Sequence, residues 1–404
     1  MSEADAKTGK RRWLQSAKGF AAIALAVVFM IAISRLFLAM LPDVTEMSVS
    51  FSTQRAFLER MRLPPGFKIN LYAAGLGRVR VMALTPIGDI LVASPGVEVK
   101  LVKADSDGDG RTDGIVTIMN RMRSPHGLVI DGKWLYVAET GRVIRARFDP
   151  AKGRIEGEQE VVVDGIPTGR GYWSRTIGMG PDGWFYVTIG SSCNACAEDH
   201  PWRAAMIRFR PGGEPEVFAT GLRNTVGFDW HPRTSALYGV DNGTNYLGDD
   251  LPPDEVNLIV AGGFYGWPYF YGDNVPDPNM EPAGADRAAK ALKPVHKLGA
   301  HVAPLALRFL RHSKAPGYRD AALVTQHGSW NRRQRAGFDI VSLHWGADGR
   351  IIQKPFLKGF DSGVEVSGRP LDLIEAGDGT IYVSDDFSGA IWRITYQAPS
   401  SRAD

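Results

Sequence analysis

The stretch RTIGMGPDGWFYVTIG, residues 175–190, shows the unit from which most of this chain is built. An apolar segment is followed by a Pro-Asp-Gly turn and then by a second segment rich in aromatic and β-branched residues. Pro, Asp and Gly favour tight turns, and short β-branched and aromatic runs favour strands. The stretch therefore predicts two adjacent strands joined by a tight turn.

The same pattern recurs five more times along the chain. It begins near Val81, His126, Val226, Ala303 and Leu371, and most units continue into a third strand. The first four units start about 45–50 residues apart, which is the spacing of propeller blades. Six such units predict an all-β fold, a six-bladed β-propeller. A β-sandwich with accidental similarity is the alternative, and the similar turns argue against it.

A further apolar segment, FKINLYAAG at residues 67–75, precedes the first repeat. We expect it to pair with the last blade as an outer strand, because a closed ring leaves no exposed sheet edges. Propellers carry their sites at one mouth of the central channel, on the loops that lead into the inner strands. Those loops are therefore where functional side chains are expected.

The composition suits this fold and argues against one class of partner. The 404 residues include 46 Gly and 25 Pro, as expected for many short strands joined by turns. Lys and Arg number 47 against 44 Asp and Glu, so the net charge is only +3. The sequence has no basic stripe with interleaved aromatic residues, and we expect no nucleic-acid partner.

The N-terminus is separate from the repeats. A basic tail precedes an apolar segment, residues 19–41, which is interrupted by Arg35. As a helix this segment would be about 35 Å long, enough for a hydrocarbon core of about 30 Å. The basic tail favours a cytoplasmic N-terminus, so we predict a single-pass inner-membrane helix with the main domain in the periplasm. A cleaved signal peptide is the alternative. The predicted organisation is a cytoplasmic tail at 1–18, a transmembrane anchor at 19–41, a linker at 42–62, the propeller at 63–397 and a tail at 398–404.

The sequence contains two cysteines, Cys193 and Cys196. Two thiolates cannot make a four-cysteine zinc site, and Ala197 stands where attachment of a c-type haem needs His. A local disulfide suits an oxidising compartment. A metal site completed by His200 and a redox-active thiol pair are the alternatives.

An acidic loop, ADSDGDGRTDG, follows the first repeat. Asp105, Asp107 and Asp109 alternate, Gly110 allows a sharp bend, and Asp113 follows. Alternating carboxylates can surround a hard cation, so the loop predicts a structural calcium site, with a solvated acidic turn as the alternative. It is not an EF-hand, because the glutamate at the twelfth position is absent.

A series of motifs, taken in order, resembles one known family. The motifs are LPPGFKI, DSDGDGRTD, SPHGL, GPDGWFYVTIGSSCNAC, GLRN, NGTNYLGDDLPPDEVNLI, GGFYGWP, APLAL, QHGSWNR, GRPLDL and YVSDD. From about residue 63 to 396 the chain is similar to the soluble aldose dehydrogenases that depend on pyrroloquinoline quinone (PQQ), most closely their L-sorbosone dehydrogenase-like branch. The resemblance implies a six-bladed propeller that binds PQQ and Ca²⁺ at its mouth. It also implies oxidation of a sugar or aldehyde sugar by hydride transfer to PQQ, with a respiratory electron acceptor as partner.

The resemblance implies roles for particular residues. Arg223 matches the arginine that contacts the reactive quinone oxygen, and Asn224 matches its amide neighbour. Gly243 and Thr244 match positions whose main-chain carbonyls bind the calcium of the cofactor, with Thr244 in place of a proline. The remaining candidates for binding the cofactor are Asn242, Arg332 and Arg369.

The catalytic base is where the sequence departs from the family. The family has a histidine where this chain has Tyr172, and a phenol that titrates near about pH 10 in water is a poor base at neutral pH. His126, His301 and His327 lie in loops that enter other blades, and each can be an ordinary loop histidine. Among these three we favour His327 as a candidate base.

The substitution at Tyr172 leaves two other functions open. One is a propeller of the same fold that binds a carbohydrate or a protein and has lost catalysis. The other is a calcium-dependent hydrolase of the lactonase type, which would need Asp, Glu and Asn side chains around a central cation.

Overall fold

The computed structural model describes residues 51–94, 96–281 and 285–398. In this part of the chain nearly all regular structure is β-strand. The predicted tail and membrane anchor, residues 1–41, lie outside the described residues. Among the described residues, no helix is long and apolar enough to cross a membrane.

Six sheets follow one another along the chain, each built mainly from antiparallel strands. Helix α1 (Phe51–Arg60) and strand β1 (Phe67–Ala73) precede them. Blade 1 contains β2 (Met82–Leu84), β3 (Ile90–Ser94), β4 (Glu98–Val102) and β5 (Ile115–Met119). Blade 2 contains β6 (Pro125–Asp131), β7 (Trp134–Glu139), β8 (Arg142–Asp149) and β9 (Arg154–Val163). Blade 3 contains β10 (Ile177–Met179), β11 (Phe185–Ile189), β12 (Ala205–Phe209) and β13 (Glu216–Thr220).

Blade 4 is interrupted by an insertion. It begins with β14 (Thr225–Trp230), β15 (Leu237–Asp241) and β16 (Pro253–Ile259). The insertion contains β17 (Gly263–Phe264), β18 (Phe270–Tyr271), β19 (Val275–Pro276) and α2 (Ala285–Lys290), and β20 (His296–Ala300) then completes the blade. Blade 5 contains β21 (Pro304–Phe309), β22 (Ala322–Gln326), β23 (Asp339–Trp345) and β24 (Ile351–Leu357). Blade 6 contains β25 (Pro370–Glu375), β26 (Ile381–Asp385) and β27 (Ala390–Tyr396).

The inner strands of successive blades contact one another around a closed ring, with blade 3 meeting blade 4 through β11 and β14. Aromatic side chains fill the space between blades. Tyr136 of blade 2 packs on Phe185 of blade 3 with ring centroids 4.3 Å apart, and Phe185 stacks on Phe209 at 5.4 Å. The structure thus confirms the six-bladed β-propeller predicted from the repeats.

The ring is closed by the segment that precedes the first blade. Strand β1 pairs antiparallel with β27, with Phe67 opposite Tyr396 and Ala73 opposite Ile391. Blade 6 therefore has four strands, one from the start of the propeller and three from its end. This pairing was expected from the apolar pattern of the segment, and the structure confirms it. Helix α1 covers the closure, where Phe57 stacks on Trp392 at 4.4 Å.

At Gly227 the backbones of blades 4 and 5 come close together. An added Cβ would lie 2.5 Å from the backbone nitrogen of Leu307, and backbone atoms cannot move aside as a flexible side chain can. We expect Gly227→Ala to reduce the free energy of unfolding by about 2–3 kcal/mol, measured by urea denaturation. Gly213→Ala is the matched control, because its added Cβ would make an ordinary contact at 3.5 Å. Equal stabilities for the two variants would contradict this packing argument.

Candidate active site

The loops that lead into the inner strands meet at one mouth of the propeller. They place Arg80 before β2, Arg223 before β14, His301 before β21 and Arg369 before β25. The loops between the second and third strands of the blades reach the same mouth. The backbone amide of His327 after β22 donates to the carbonyl of Ala303, which precedes β21. Side chains distant in sequence are therefore brought together here.

A pocket of about 160 Å³ lies at this mouth. Its walls come from loops of blades 3, 4 and 5, and include Tyr172, Arg223, Asn242, Gly243, His301 and Trp330. Four of these six are residues that the sequence analysis named as candidates for the catalytic, cofactor-binding or metal-binding site. The structure thus brings the Arg223 motif, the Asn242–Gly243 turn and Tyr172 into one pocket.

Arg223 is held in a fixed orientation inside this pocket and is only 2% exposed. Its Nε donates to the carbonyl of Asn194 at 2.9 Å, its Nη2 to Oδ1 of Asn194 at 2.9 Å, and its Nη1 to the carbonyl of Asn242 at 3.0 Å. All three acceptors are neutral oxygens, and no carboxylate of the described residues forms an ion pair with Arg223. The buried carboxyls of Asp241 and Asp254 lie close enough to interact electrostatically with Arg223, but neither is paired with it. A buried guanidinium whose hydrogen bonds all go to neutral oxygens suits an anionic ligand.

Tyr172 lies beneath this cation. The Arg223 guanidinium carbon is 5.0 Å from the centroid of the Tyr172 ring, a cation–π distance. Close approach of the two loops requires Gly190, because a Cβ there would lie 2.6 Å from the Cβ of Tyr172 and 2.7 Å from Oδ1 of Asn224. The phenol is thus placed to support a planar group or the guanidinium itself.

Three buried carboxyl groups lie behind the Asn242–Thr244 turn. Asp241 accepts from the amide of Asn224, Asp254 accepts from the amides of Gly243 and Ala303, and Glu255 accepts from the amide of Gly272. Burial raises the pKa of Asp241 to about 7, that of Asp254 to about 6 and that of Glu255 to about 8. These groups fix the backbone of the turn and retain protons that isolated carboxyls would lose well below neutral pH.

On the other side of the mouth His327 is oriented by a carboxylate. Its Nε2 lies 2.7 Å from Oδ1 of Asp386, whose Oδ2 accepts from Arg80 at 3.1 Å. Burial lowers the pKa of His327. Burial would raise the pKa of Asp386, but the contact with His327 and the charges of Arg80 and Arg369 bring it below its usual value.

The contact between His327 and Asp386 indicates the tautomer of the ring. An ionised Asp386 can only accept, so the neutral His327 carries its proton on Nε2 and leaves Nδ1 with a free lone pair. Among the described residues, Nδ1 has no hydrogen-bond partner. A neutral imidazole oriented by a carboxylate is the arrangement of a general base.

The other two loop histidines are arranged differently. His301 contacts the carbonyl of Gly248 through Nε2 at 2.9 Å, and in the described part of the chain no carboxylate is hydrogen-bonded to its ring, although Asp254 lies nearby in the same pocket. His126 is fully buried against Trp173, and neither ring nitrogen has a partner among the described residues. Burial lowers the pKa of His126 well below its usual value. Of the three, His327 has the geometry of a base.

Comparison with known proteins identifies the family. The chain matches the TrAA12-like family over residues 61–258 and 271–397, most of its length. The chain belongs to this family. TrAA12-like proteins are PQQ-dependent oxidoreductases, so the resemblance seen in the sequence motifs is confirmed at the level of the family.

Solved structures share the fold of this TrAA12-like chain. The family AA12 carbohydrate-active enzyme of Trichoderma reesei is 20% identical with a TM-score of 0.75, covering 83% of this chain and 98% of that chain. The PQQ domain of pyranose dehydrogenase from Coprinopsis cinerea is 21% identical with a TM-score of 0.72, covering 83% and 97%. The soluble aldose sugar dehydrogenase of Escherichia coli is 16% identical with a TM-score of 0.62, covering 82% and 100%.

A curated relative matches part of the chain. An uncharacterized protein of Borreliella burgdorferi is 38% identical over 187 residues, which is 45% of this chain. The chain spans about half the length of that relative, 49%.

Two arginines that were expected to bind the cofactor, Arg332 and Arg369, form hydrogen bonds with other residues of the protein. Arg332 donates to the carbonyls of Gln334 and Ala300 and to the carboxylate of Asp250, and the pocket wall beside it comes from Trp330 and Asn331. Arg369 donates Nε to the carbonyl of His327 at 3.0 Å and Nη2 to that of Gly328 at 2.8 Å. Arg369 therefore holds the loop that carries His327.

The acidic loop gathers three of its four carboxylates. Ligand atoms of Asp105, Asp107 and Asp109 lie within 4.8 Å of one another. Each also accepts from amides of its own loop, and Asp105 pairs with Arg393 at 3.2 Å. Asp113 instead accepts from Ser106. The carboxylates thus already have hydrogen-bond donors within the protein, and a calcium ion in this loop stays a prediction.

The two cysteines are bonded to each other as a disulfide. His200, the third ligand of the alternative metal site, instead accepts from the amide of Trp202 through Nδ1 at 3.1 Å. The disulfide loop lies beside the pocket, because Asn194 between the two cysteines is the residue that receives Arg223.

A larger cavity, about 850 Å³, lies beside the insertion of blade 4. Its walls include Asp286, Arg287 and Lys290, which are exposed and carry both signs of charge. If size were the only criterion, this cavity would be the candidate active site. The smaller pocket is the candidate site, because it contains the buried Arg223, whose hydrogen bonds go only to neutral oxygens.

Two residues of the site, Asp386 and Asn194, carry no signal in the sequence that reveals their roles. Asp386 lies in the YVSDD motif, and Asn194 lies in the CNAC segment. Both segments belong to motifs that carry the resemblance to the PQQ-dependent dehydrogenases. A role for either residue depends on a partner in another loop, 59 residues away for Asp386 and 29 for Asn194. Neither partner can be inferred from spacing along the chain.

Proposed function

We propose that the mouth pocket binds PQQ with Ca²⁺ and that the protein oxidises a sugar or an aldehyde sugar, such as a sorbosone. The observation that carries the proposal is the buried Arg223, which has no carboxylate partner among the described residues. The membership of the TrAA12-like family supports PQQ as the ligand. Electrons would then pass to a respiratory acceptor.

The residues present suit an anionic, planar ligand. Arg223 offers an orientated fork of donors, and such forks recognise carboxylates and similar oxygens well. Asn224 and Asn242 add amide groups next to it. Gly243 and Thr244 would contribute carbonyl oxygens to Ca²⁺, a cation that takes oxygen ligands. The amide of Gly243 is fixed by Asp254 at 2.8 Å, which orients that turn.

His327 is the proposed general base. When bound, PQQ supplies the acceptor for the hydride. His327 would take the proton of the substrate hydroxyl on Nδ1, while Asp386 stabilises the resulting imidazolium through Nε2. Arg223 would hold the anionic ligand in place. Tyr172 would act as a support beneath the guanidinium and not as the base.

One titration tests the binding half of this proposal. Purified protein is titrated with PQQ in the presence of Ca²⁺ and, separately, of a chelator, and absorption and tryptophan fluorescence are followed. We expect saturable binding that requires Ca²⁺, followed by dye reduction with a panel of aldoses and aldehyde sugars. Binding without turnover would favour a propeller that has lost catalysis. No binding at excess PQQ would reject the proposal, and hydrolysis of lactones without PQQ would favour the hydrolase.

The rim of the pocket carries two exposed aromatic side chains. Trp330 is 64% exposed and Tyr246 is 73% exposed, and their ring centroids are 6.0 Å apart. Large exposed aromatic surface beside a pocket indicates a contact site for a ligand. We expect Trp330→Ala to raise KM for the sugar about tenfold with little change in kcat or in PQQ affinity. The exposed Ile87, in the turn between β2 and β3, gives the control Ile87→Ala. A fall in kcat with unchanged KM would place Trp330 elsewhere in the reaction.

We also propose that residues 19–41 anchor the protein in the inner membrane with the propeller in the periplasm. The length of the apolar segment and the basic tail support this. We expect full-length protein to sediment with membranes after an alkaline wash and to be digested by protease added to spheroplasts. Release by the wash, or protection from the protease, would contradict the anchor or its orientation.

A further inference from the structure

Asn194 connects the disulfide loop to Arg223 through two acceptors. Its main-chain carbonyl receives Nε and its side-chain Oδ1 receives Nη2, each at 2.9 Å. The same carbonyl also accepts from the indole of Trp267 at 3.2 Å. Two parallel donations to one residue fix both the position and the plane of a guanidinium.

Asn194 also holds the turn that faces Arg223. Its Oδ1 accepts from the amide of Asn245 at 2.8 Å, and its Nδ2 donates to the carbonyl of Asn245 at 3.1 Å. The Asn194 side chain therefore both accepts from and donates to the backbone of Asn245, as a paired residue of a neighbouring strand would. One asparagine thus links a loop of blade 3, the guanidinium and the Asn242–Asn245 turn of blade 4.

The acceptors of Asn194 are neutral, and this matters for the ligand. A carboxylate in the same place would orient Arg223 equally well but would cancel its charge. An amide orients the guanidinium and leaves the charge available to an anion. The choice of Asn over Asp at this position therefore suits a guanidinium that has to bind something else.

The disulfide restricts the backbone around Asn194. Cys193 and Cys196 are bonded on either side of it, which closes a loop of four residues. The carbonyl of Cys193 accepts from the hydroxyl of Ser191 at 2.7 Å, and Ser192 is bonded to Glu198 through both its amide and its hydroxyl. A short cross-linked loop has few conformations, so little freedom is lost when Asn194 meets its partners.

We propose that Asn194, held by the Cys193–Cys196 disulfide, is the positioning residue for Arg223 and sets its orientation without neutralising its charge. This inference rests on the proposed function for what Arg223 binds, but not for the contact itself. Asn194 acts through Arg223 and the 242–245 turn. The disulfide acts through Asn194.

Two substitutions separate geometry from charge. Asn194→Ala removes Oδ1 and the pairing with Asn245, so we expect PQQ affinity to fall about 10- to 100-fold and the Tm of the PQQ-free protein to fall. Asn194→Asp keeps the oxygens that accept from Arg223 and from the amide of Asn245, loses the donation from Nδ2 to the carbonyl of Asn245, and adds a negative charge beside Arg223. We expect it to lower PQQ affinity about tenfold, with a Tm above that of Asn194→Ala because the acceptor contacts with Arg223 remain. Glu214→Ala is the control, because Glu214 is exposed in the turn between β12 and β13, at the end of blade 3 opposite the mouth.

The disulfide is tested in the same framework. We expect Cys193→Ser/Cys196→Ser to lower PQQ affinity, and we expect Asn194→Ala to cause a smaller further loss in that background than in the wild type. Additive losses would show that the disulfide acts independently of Asn194 and would overturn that part of the proposal. The disulfide is removed by substitution and not by a thiol reductant, because a thiol reductant would react with the quinone.

Failure of this inference and failure of the proposed function give different results. If the wild type binds PQQ and both Asn194 variants bind it within about twofold, the positioning role is wrong. If the wild type does not bind PQQ, the proposed function is wrong. Thermal unfolding of the PQQ-free protein then tests the contact between Asn194 and Arg223. Asn194→Ala and Arg223→Met would then lower the Tm less than additively if they share an interaction, and additively if they do not.

Discussion

Replacing Arg223 by lysine is expected to lower PQQ affinity about 100-fold and kcat/KM for the sugar by at least about the same factor. Lysine keeps the positive charge but presents it as a point, without the rigid fork of donors. Arg223 now makes three donations, at 2.9, 2.9 and 3.0 Å, and a single ammonium cannot reach all three acceptors. Both the ligand contact and the support of the loops are therefore weakened.

The measurement is a PQQ titration in saturating Ca²⁺, followed by steady-state kinetics on the loaded protein. Arg154→Lys is the control, because Arg154 is exposed on the outer strand β9. Thermal unfolding of the PQQ-free variant shows whether the mouth still folds. A lysine variant that is folded and binds PQQ within threefold of the wild type would exclude Arg223 as a direct contact.

Much of the fold could be predicted because the blade is a local pattern. The spacing of the strands and the Pro-Asp-Gly or Asp-Gly turns are properties of neighbouring residues. Strand β1 could be predicted because its segment is apolar and lies outside the six repeats. The repeat at 175–190 is an example, since its two predicted strands became β10 and β11 with Ile177 opposite Val187. Local propensity and tertiary structure agree in such a unit.

The site was predictable only in part, because its contacts cross between blades. Arg223 could be named from its motif, but its acceptor Asn194 lies in the disulfide loop of the preceding blade. Arg332 shows the opposite case. Its motif suggested a cofactor contact, and neighbouring carbonyls took up two of its donors. Which partner a long side chain meets depends on how closely the loops approach after the ring closes.

His327 was favoured as the base from its sequence motif, but the sequence could not show the carboxylate, Asp386, that orients it. His126, His301 and His327 all lie in mouth loops, and nothing in their spacing distinguishes them. The distinction comes from a carboxylate on blade 6 at 2.7 Å from His327. That carboxylate is itself held by Arg80, which precedes the first blade strand. The arrangement needs the first, fifth and sixth blades together.

Replacing His327 by glutamine is expected to lower kcat about 10²- to 10⁴-fold while PQQ affinity stays near the wild-type value. Glutamine has a similar length and keeps a donor toward Asp386, but it cannot accept a proton. Two control variants make the assignment specific. We expect Tyr172→Phe and His301→Gln to retain kcat within about tenfold, because in the described structure neither side chain is hydrogen-bonded to a carboxylate that would orient it as a base.

The pH profile distinguishes a base from a merely structural histidine. Burial lowers the pKa of His327, so the ring remains neutral below the usual histidine range near about 6.5, and the acid limb of kcat should lie below that range. Asp386 opposes this effect, since its hydrogen bond and charge raise the pKa of His327. Asp386→Asn should therefore move the acid limb to still lower pH and reduce kcat at its plateau. A limb that stays in place in Asp386→Asn, or a Tyr172→Phe variant that loses activity as His327→Gln does, would remove His327 from the mechanism and return the role of the base to Tyr172.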